Sequence, residues 1–363
     1  MMLAKVKNLV LQMVAGANVV TVIIMLLVGY SDRLHPGTFP LFANAGLLLP
    51  VFLVLNFCFL VFWIFFKFRW TVIPFAGYVL CFQPVRTYCP FNITGEVPDS
   101  TVKVLTYNVW LFAGWKDEDN PNPILEYIAS ADADVVCLQE ADANKVVEKQ
   151  IDEILDPVYK YCDTVRVDKG GSAIAFYSKH PILRKQRIDY ESKGNLSGAV
   201  WIDMDGDTVI VVNNHFETTG LTLDDRAQFR QIVKGEYRSD SVENTSRKLF
   251  GKLKESTVRR APQAEAVARF IAAHAGETII CCGDFNDGPN SYTRRTVAEN
   301  LTDCYVATGN GPGISYHKNG FFVRIDNILC SIDLEPCKCV VDRKIAVSDH
   351  YPVVCWLKKG RKP

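Results

Sequence analysis

The first 88 residues contain three stretches without one charged side chain: Asn8 to Tyr30, Leu41 to Phe66 and Trp70 to Val85. As helices, the first two are long enough to cross a hydrocarbon core of about 30 Å. The third is shorter and holds Pro74 and Gly77, both tolerated in membrane helices. The pattern predicts three transmembrane helices ending near Tyr88; burial of all three in a soluble core is the alternative. A cleaved signal peptide explains only the first run, which is too long and lacks a small-residue cleavage site. Lys5 and Lys7 precede the first helix, and Lys67 and Arg69 lie between the second and third. The loop between the first two carries Asp32, Arg33 and His35 and is less basic. Positive charge stays in the cytoplasm, so the chain beyond Tyr88 is expected outside it, with Arg86 weakly opposing. This is the layout of a multi-pass inner-membrane protein in contact with a lipid bilayer.

The zero net charge hides an asymmetry. Residues 1 to 88 carry six Lys/Arg and one acid, so of the 40 basic and 40 acidic residues, 34 and 39 fall beyond them. A domain that grips long nucleic acid without sequence preference is usually basic, and this one is not. One stretch runs the other way: residues 226 to 260 hold ten Lys/Arg against four acids. Helices with a basic face are expected there, either as solvated surface or in contact with phosphate-bearing substrate or anionic lipid. Of the 12 cysteines, Cys281 and Cys282 belong to an apparent core strand, where Cys acts as a small hydrophobe. Cys337 and Cys339 lack a partner pair at zinc spacing.

Beyond a turn-rich linker at 90–100, strands and helices alternate, and the strands end in polar residues. Val102 to Tyr107 reads as a strand that delivers Asn108. A helix from Pro123 to Ser130 leads to a strand from Asp134 to Leu138 that delivers Gln139 and Glu140. Lys145 to Leu155 reads as a helix and Ser172 to Tyr177 as a strand. Ala199 to Asp203 and Thr208 to Val212 read as a hairpin about Asp205-Gly206, and its second strand delivers Asn213 and His215. Pro262 to His274 is an amphipathic helix leading into the apolar run Glu277 to Ile280. Gly283 then breaks this last strand and presents Asp284 and Asn286, which point the same way in extended backbone. An Asx-type turn is the plain alternative for that tetrapeptide. Phe322 to Ser331 carries Asp326, and Pro352 to Leu357 follows Asp349 and His350. The strand-end set is rich in carboxylate and amide oxygens and free of thiols, which suits Mg²⁺ or Mn²⁺. Such an ion stabilises charge building at phosphorus.

Six motifs occur in order: Thr106-Tyr107-Asn108-Val109, Leu138-Gln139-Glu140, Asn213-Asn214-His215, Gly283-Asp284-Phe285-Asn286, Arg324-Ile325-Asp326 and Ser348-Asp349-His350. Together they resemble the endonuclease/exonuclease/phosphatase superfamily, the deoxyribonuclease I-like hydrolases, in a membrane-anchored bacterial form. The resemblance spans about residues 100 to 358. It implies an α/β fold, a four-layer sandwich of two packed mixed β-sheets flanked by helices, preceded by the transmembrane helices. The expected organisation is an anchor at 1–89, the linker, and a catalytic domain at 101–358. By resemblance, Glu140 is the main metal ligand, with Asn108 and Asp349 completing or supporting the shell. Asp284 orients or deprotonates the attacking water. Asn286, Asn213 and His215 contact the scissile phosphate, and His350, held by Asp326, stabilises the pentavalent state. His317 reads as scaffold, and His180 and His274 as surface. Trp110 stands where some family nucleases carry a polar metal-site residue, which leaves a second metal open.

The implied function is a membrane-anchored, Mg²⁺-dependent phosphodiesterase, nuclease-type by family label. A phospholipase C- or sphingomyelinase-like enzyme, or a hydrolase of another small phosphoester, is the alternative, and motifs alone do not choose the substrate. No protein partner is implied. A non-catalytic membrane module is the reading from another class; its signature is a missing site residue, and all nine are present.

Overall fold

A computed structural model describes residues 2–93, 95–167, 172–233, 239–318 and 320–360; Lys234, Glu236 and Arg238 of the basic stretch lie outside them. The helices are α1 (Met2–Gly29), α2 (Leu49–Phe66), α3 (Val72–Leu80), α4 (Phe82–Tyr88), α5 (Pro123–Ala131), α6 (Lys145–Ile154), α7 (Leu223–Val233), α8 (Ser239–Ala273), α9 (Tyr292–Val297) and α10 (Cys304–Thr308). The strands are β1 (Val102–Asn108), β2 (Val135–Gln139), β3 (Tyr161–Arg166), β4 (Ala173–Ser178), β5 (Ile182–Ile188), β6 (Leu196–Met204), β7 (Asp207–His215), β8 (Thr278–Asp284), β9 (Thr302–Asp303), β10 (Asp326–Cys330), β11 (Leu334–Val341) and β12 (Val353–Lys359).

Two six-stranded sheets form, ordered β11-β12-β1-β2-β4-β3 and β5-β6-β7-β8-β10-β9. Alternation decides which side chain meets which layer. Val104 of β1 faces the other sheet, where Val211, Ile280 and Ile328 pack. Leu105 and Tyr107 face outward onto Ile124, Leu125 and Ile128 of α5. On the second sheet, Ile210, Val212 and Ile279 face outward onto Ala264, Val267 and Ile271 of α8. Both faces of each sheet are therefore covered, which explains why the central strands read as continuous apolar runs. The result is the expected four-layer α/β sandwich. Cys282 lies between the sheets and Cys281 under α8, each as a small hydrophobe.

At the N-terminus, two helical segments are long and apolar enough to cross a membrane, Lys5–Arg33 and Ala45–Phe66. The third expected span differs. It is broken into α3 and α4 at Cys81, and the cause is Pro84. Proline lacks the donor and clashes with the carbonyl four residues back, here that of Leu80. Tyr30 Oη donates to this freed carbonyl at 2.8 Å. The bent pair runs beside α1 in the same direction, since Gly77 lies against Val22 and Met25, and Pro84 against Gly29. A buried polar chain joins the helices: Trp63 Nε1 donates to Asn18, Asn18 to Asn56, and Asn56 to the Pro74 carbonyl. Arg324 donates to the carbonyls of Thr87, Tyr88 and Pro312 and ties the helices to the domain.

The helix expected to begin at Pro262 starts at Ser239, so Pro262 lies inside α8. Side-chain bonds hold the chain on both sides of it. Arg260 Nη1 donates to the Glu217 carbonyl at 3.0 Å, and Gln263 Oε1 accepts from the Glu217 amide at 2.8 Å.

Candidate active site

Register builds the site. On the second sheet, β7 pairs His215 with Asp284 of β8, and β10 pairs Asp326 with Asp284. Three adjacent strands therefore end with an imidazole and two carboxylates side by side. β7 and β8 approach so closely that a Cβ on Gly283, whose φ is +124°, would lie 2.1 Å from the Asn214 carbonyl oxygen. Only glycine fits there. The first sheet supplies Asn108 at the end of β1 and Glu140 just after β2, where Glu140 takes a left-handed φ of 51°. Among the described residues, Trp110 to Ala113 are also left-handed, and the Leu111 amide donates to the Glu140 carbonyl at 3.0 Å. Such runs persist only when their surroundings hold them.

Asn108 lies between the two main carboxylates. Its Nδ2 donates to Asp284 at 3.0 Å and to Glu140 at 3.3 Å, while its Oδ1 accepts from the Trp110 amide. Ser348 Oγ donates to the Asn108 carbonyl at 2.7 Å and in turn accepts from the His350 amide. His350 Nδ1 is 2.8 Å from Asp326 Oδ2, and its Nε2 is 3.7 Å from Asp284 Oδ2. His215 Nε2 lies 3.9 Å from that same oxygen and 3.7 Å from Glu140 Oε1, too far to hydrogen-bond either. Asn286 is left-handed at φ 51°; its amide N–H donates to Asp284 Oδ1 at 2.8 Å and its Nδ2 to the Phe216 carbonyl.

The protonation states diverge. Burial works against charge on His350, but the carboxylates of Asp326 and Asp284 outweigh it and hold its pKa up at about 10. On His215, burial wins over Asp284 and lowers the pKa, leaving a neutral ring at pH 7. Burial pushes Asp284 up to about 6, against the pull of both histidines. Glu140 is also raised, first by burial, with His350 opposing.

Eight of the nine expected residues line or support this cleft; Asn213 does not. It lies between the sheets, fully buried, with Nδ2 donating to the Leu138 and Ala175 carbonyls and Oδ1 accepting from Gln139. The side-chain step of two along β7 that sends His215 to the cleft sends Asn213 one pair deeper. Asp349 lies at the rim, 3.9 Å from Arg226 Nη1. Arg226 and Tyr316 were not singled out from the sequence. Arg226 Nη1 donates to Tyr316 Oη at 2.5 Å, and the Tyr316 ring stands edge-on to His350. Arg226 was hidden within the basic run, and Tyr316 beside the more conspicuous His317, whose ring stacks on Tyr351.

A family model described as the endonuclease/exonuclease/phosphatase family matches residues 105–350. The chain belongs to this family. A second model, for a domain of unknown function, matches residues 11–88. Among solved structures, an endonuclease/exonuclease/phosphatase from Beutenbergia cavernae is 18% identical with a TM-score of 0.50, over 72% of each chain. Sphingomyelinase C from Streptomyces griseocarneus is 18% identical with a TM-score of 0.47, over 70% of this chain and 99% of that one. The human Nocturnin catalytic domain with bound sulfate anion is 13% identical with a TM-score of 0.49, over 73% and 96%. At these identities the likeness is one of fold. A search of curated proteins gives no match.

Enzymes of this family commonly use divalent metal ions, and the residues here fit one. The ligand atoms of Asp284, Asp326 and His350 lie together, Glu140 stands across Asn108 from Asp284, and the imidazole nearest Glu140 is neutral, so carboxylates outnumber cationic side chains in the cleft. Glu140 and Asp284 present carboxylate oxygens, the ligands a hard cation prefers, while Asn108 turns its Nδ2 towards both.

Proposed function

We propose that the chain is a membrane-anchored, Mg²⁺-dependent phosphodiester hydrolase of the nuclease type. The observation that carries this reading is one buried carboxylate, Asp284, flanked by a cationic and a neutral imidazole. Glu140 would hold the ion, with Asp349 nearby and Asn108 tethering the carboxylates; the ion would neutralise a phosphate oxygen. Asp284, raised towards 6 yet ionised at pH 7, orients the attacking water and takes its proton. His350, kept charged by Asp326, meets the charge that develops on phosphorus oxygens. Neutral His215 and the Asn286 side chain border the position of the phosphate.

Full-length protein in detergent should hydrolyse bis-p-nitrophenyl phosphate with Mg²⁺ and stop with EDTA. Plasmid DNA, RNA and sphingomyelin vesicles, offered in parallel, assign the natural class. An Asp284→Asn variant that turns over within about tenfold of the wild type would overturn this assignment of roles.

We further infer that α1 and α2 cross the membrane and that the bent α3–α4 pair returns beside them. The 31–48 loop and the end of α4 both meet the domain, through His35 with Glu265 and Arg324 with Thr87, while Lys5, Lys7, Lys67 and Arg69 cluster at the other end. The domain then lies on the side opposite the N-terminus. Protease added outside spheroplasts should digest it; protection would reverse the orientation.

A further inference from the structure

Glu140 opens onto two cavities, and the smaller has the more apolar lining. One, of about 660 Å³, is polar and includes His215, Lys193, Lys252 and Arg259. The other, of about 140 Å³, also touches Asp284, Asn286 and His350; Leu47, Leu221, Leu253, Phe321, Val323 and Ile325 make its apolar side, and Thr218, Thr219, Arg226, Arg260 and Asp287 its polar side. The notable member of this wall is Leu47, with Asn44 beside it. Both belong to the loop between the two apolar helices, not to the hydrolase domain.

That loop is built onto the domain. Asn44 Oδ1 accepts from Thr257 Oγ1 at 2.9 Å with both side chains buried, and His35 Nε2 lies 3.0 Å from Glu265 Oε1. Gly46 presses so close that a Cβ would stand 2.1 Å from the Asn290 carbonyl oxygen. Asn44 Nδ2 is buried without a hydrogen-bond partner among the described residues.

We propose that this crevice receives the apolar substituent of an amphipathic phosphodiester and that the 31–48 loop sets substrate specificity as one wall of the active site. The inference rests on the phosphodiesterase reading and names its substrate class. The occupant follows from continuity: a phosphate held between Glu140, Asp284 and His350 has polar space on one side and this apolar space on the other. Burying a methylene against Leu47, Leu253 and Phe321 removes it from water.

The test uses the full chain in lipid nanodiscs and a series of alkyl p-nitrophenyl phosphate diesters from methyl to hexyl. In the wild type, kcat/KM should climb by about fourfold per methylene until the crevice is full. Gly46→Ala, which lifts the loop from Asn290, should flatten the series and spare the methyl diester. Leu47→Trp, which fills the crevice, should move the optimum to shorter chains. A flat wild-type series with the methyl diester turned over overturns this inference alone. A rise that neither variant changes reports partitioning into the bilayer and also overturns it. No hydrolysis of any member removes the phosphodiesterase reading and this inference with it.

Discussion

The two sides of the cleft place an imidazole at nearly the same distance from one oxygen. His350 lies 3.7 Å and His215 3.9 Å from Asp284 Oδ2, and both rings are buried. Yet one pKa rises to about 10 and the other falls. The difference is the second neighbour. His350 has Asp326 at 2.8 Å, whereas the Nδ1 of His215 meets Ser172 Oγ at 3.5 Å and its Nε2 has Glu140 at 3.7 Å. In a desolvated site a carboxylate close enough to hydrogen-bond decides the charge; one almost 4 Å away does not.

Removing the shared oxygen should break the comparison hardest. Asp284→Asn is expected to lower kcat by about 10³- to 10⁴-fold with KM little changed, the range of a general base. Steady-state kinetics on bis-p-nitrophenyl phosphate checks it. Asp326→Asn should erase the difference between the two rings. His350 would lose its partner, its pKa would fall, and kcat would drop by about 10²-fold with the alkaline limb moving well below pH 10. A pH profile with an unmoved limb would assign that limb to another group.

In the unaltered protein, Asp284 must be ionised to act, so kcat/KM should rise with pH through about 6. His215→Asn keeps the neutral side neutral and should cost only about 10-fold, well below the loss from deleting a charged group. Smallest is Ser172→Ala. A contact at 3.5 Å holds little energy, so kcat and thermal stability should move by less than about 0.5 kcal/mol.

The central strands and the cleft were legible because both sheet faces are covered, which writes buried strands as plain apolar runs. Four strands were not legible: β3, β5, β9 and β11. They are the four edges of the two sheets. An edge faces solvent, so β5 reads Ile-Leu-Arg-Lys-Gln-Arg-Ile and β11 carries Glu335 and Lys338, charges that guard against pairing with another chain. Asn213 was misplaced because a strand-end motif gives the face and not the depth. Its cross-sheet bonds to Gln139, Leu138 and Ala175 reveal that it braces the two sheets. The break at Cys81 was visible as Pro84, but the compensating Tyr30 lies 50 residues away in sequence, beyond any local pattern.

Gly283 has a consequence for how this chain can vary. Any side chain there would push β7 from β8 and part His215 from Asp284, so the position holds geometry without contributing a functional atom. In a saturation scan selected for activity, Asp284 should tolerate a few weakened survivors, whereas position 283 should return glycine alone.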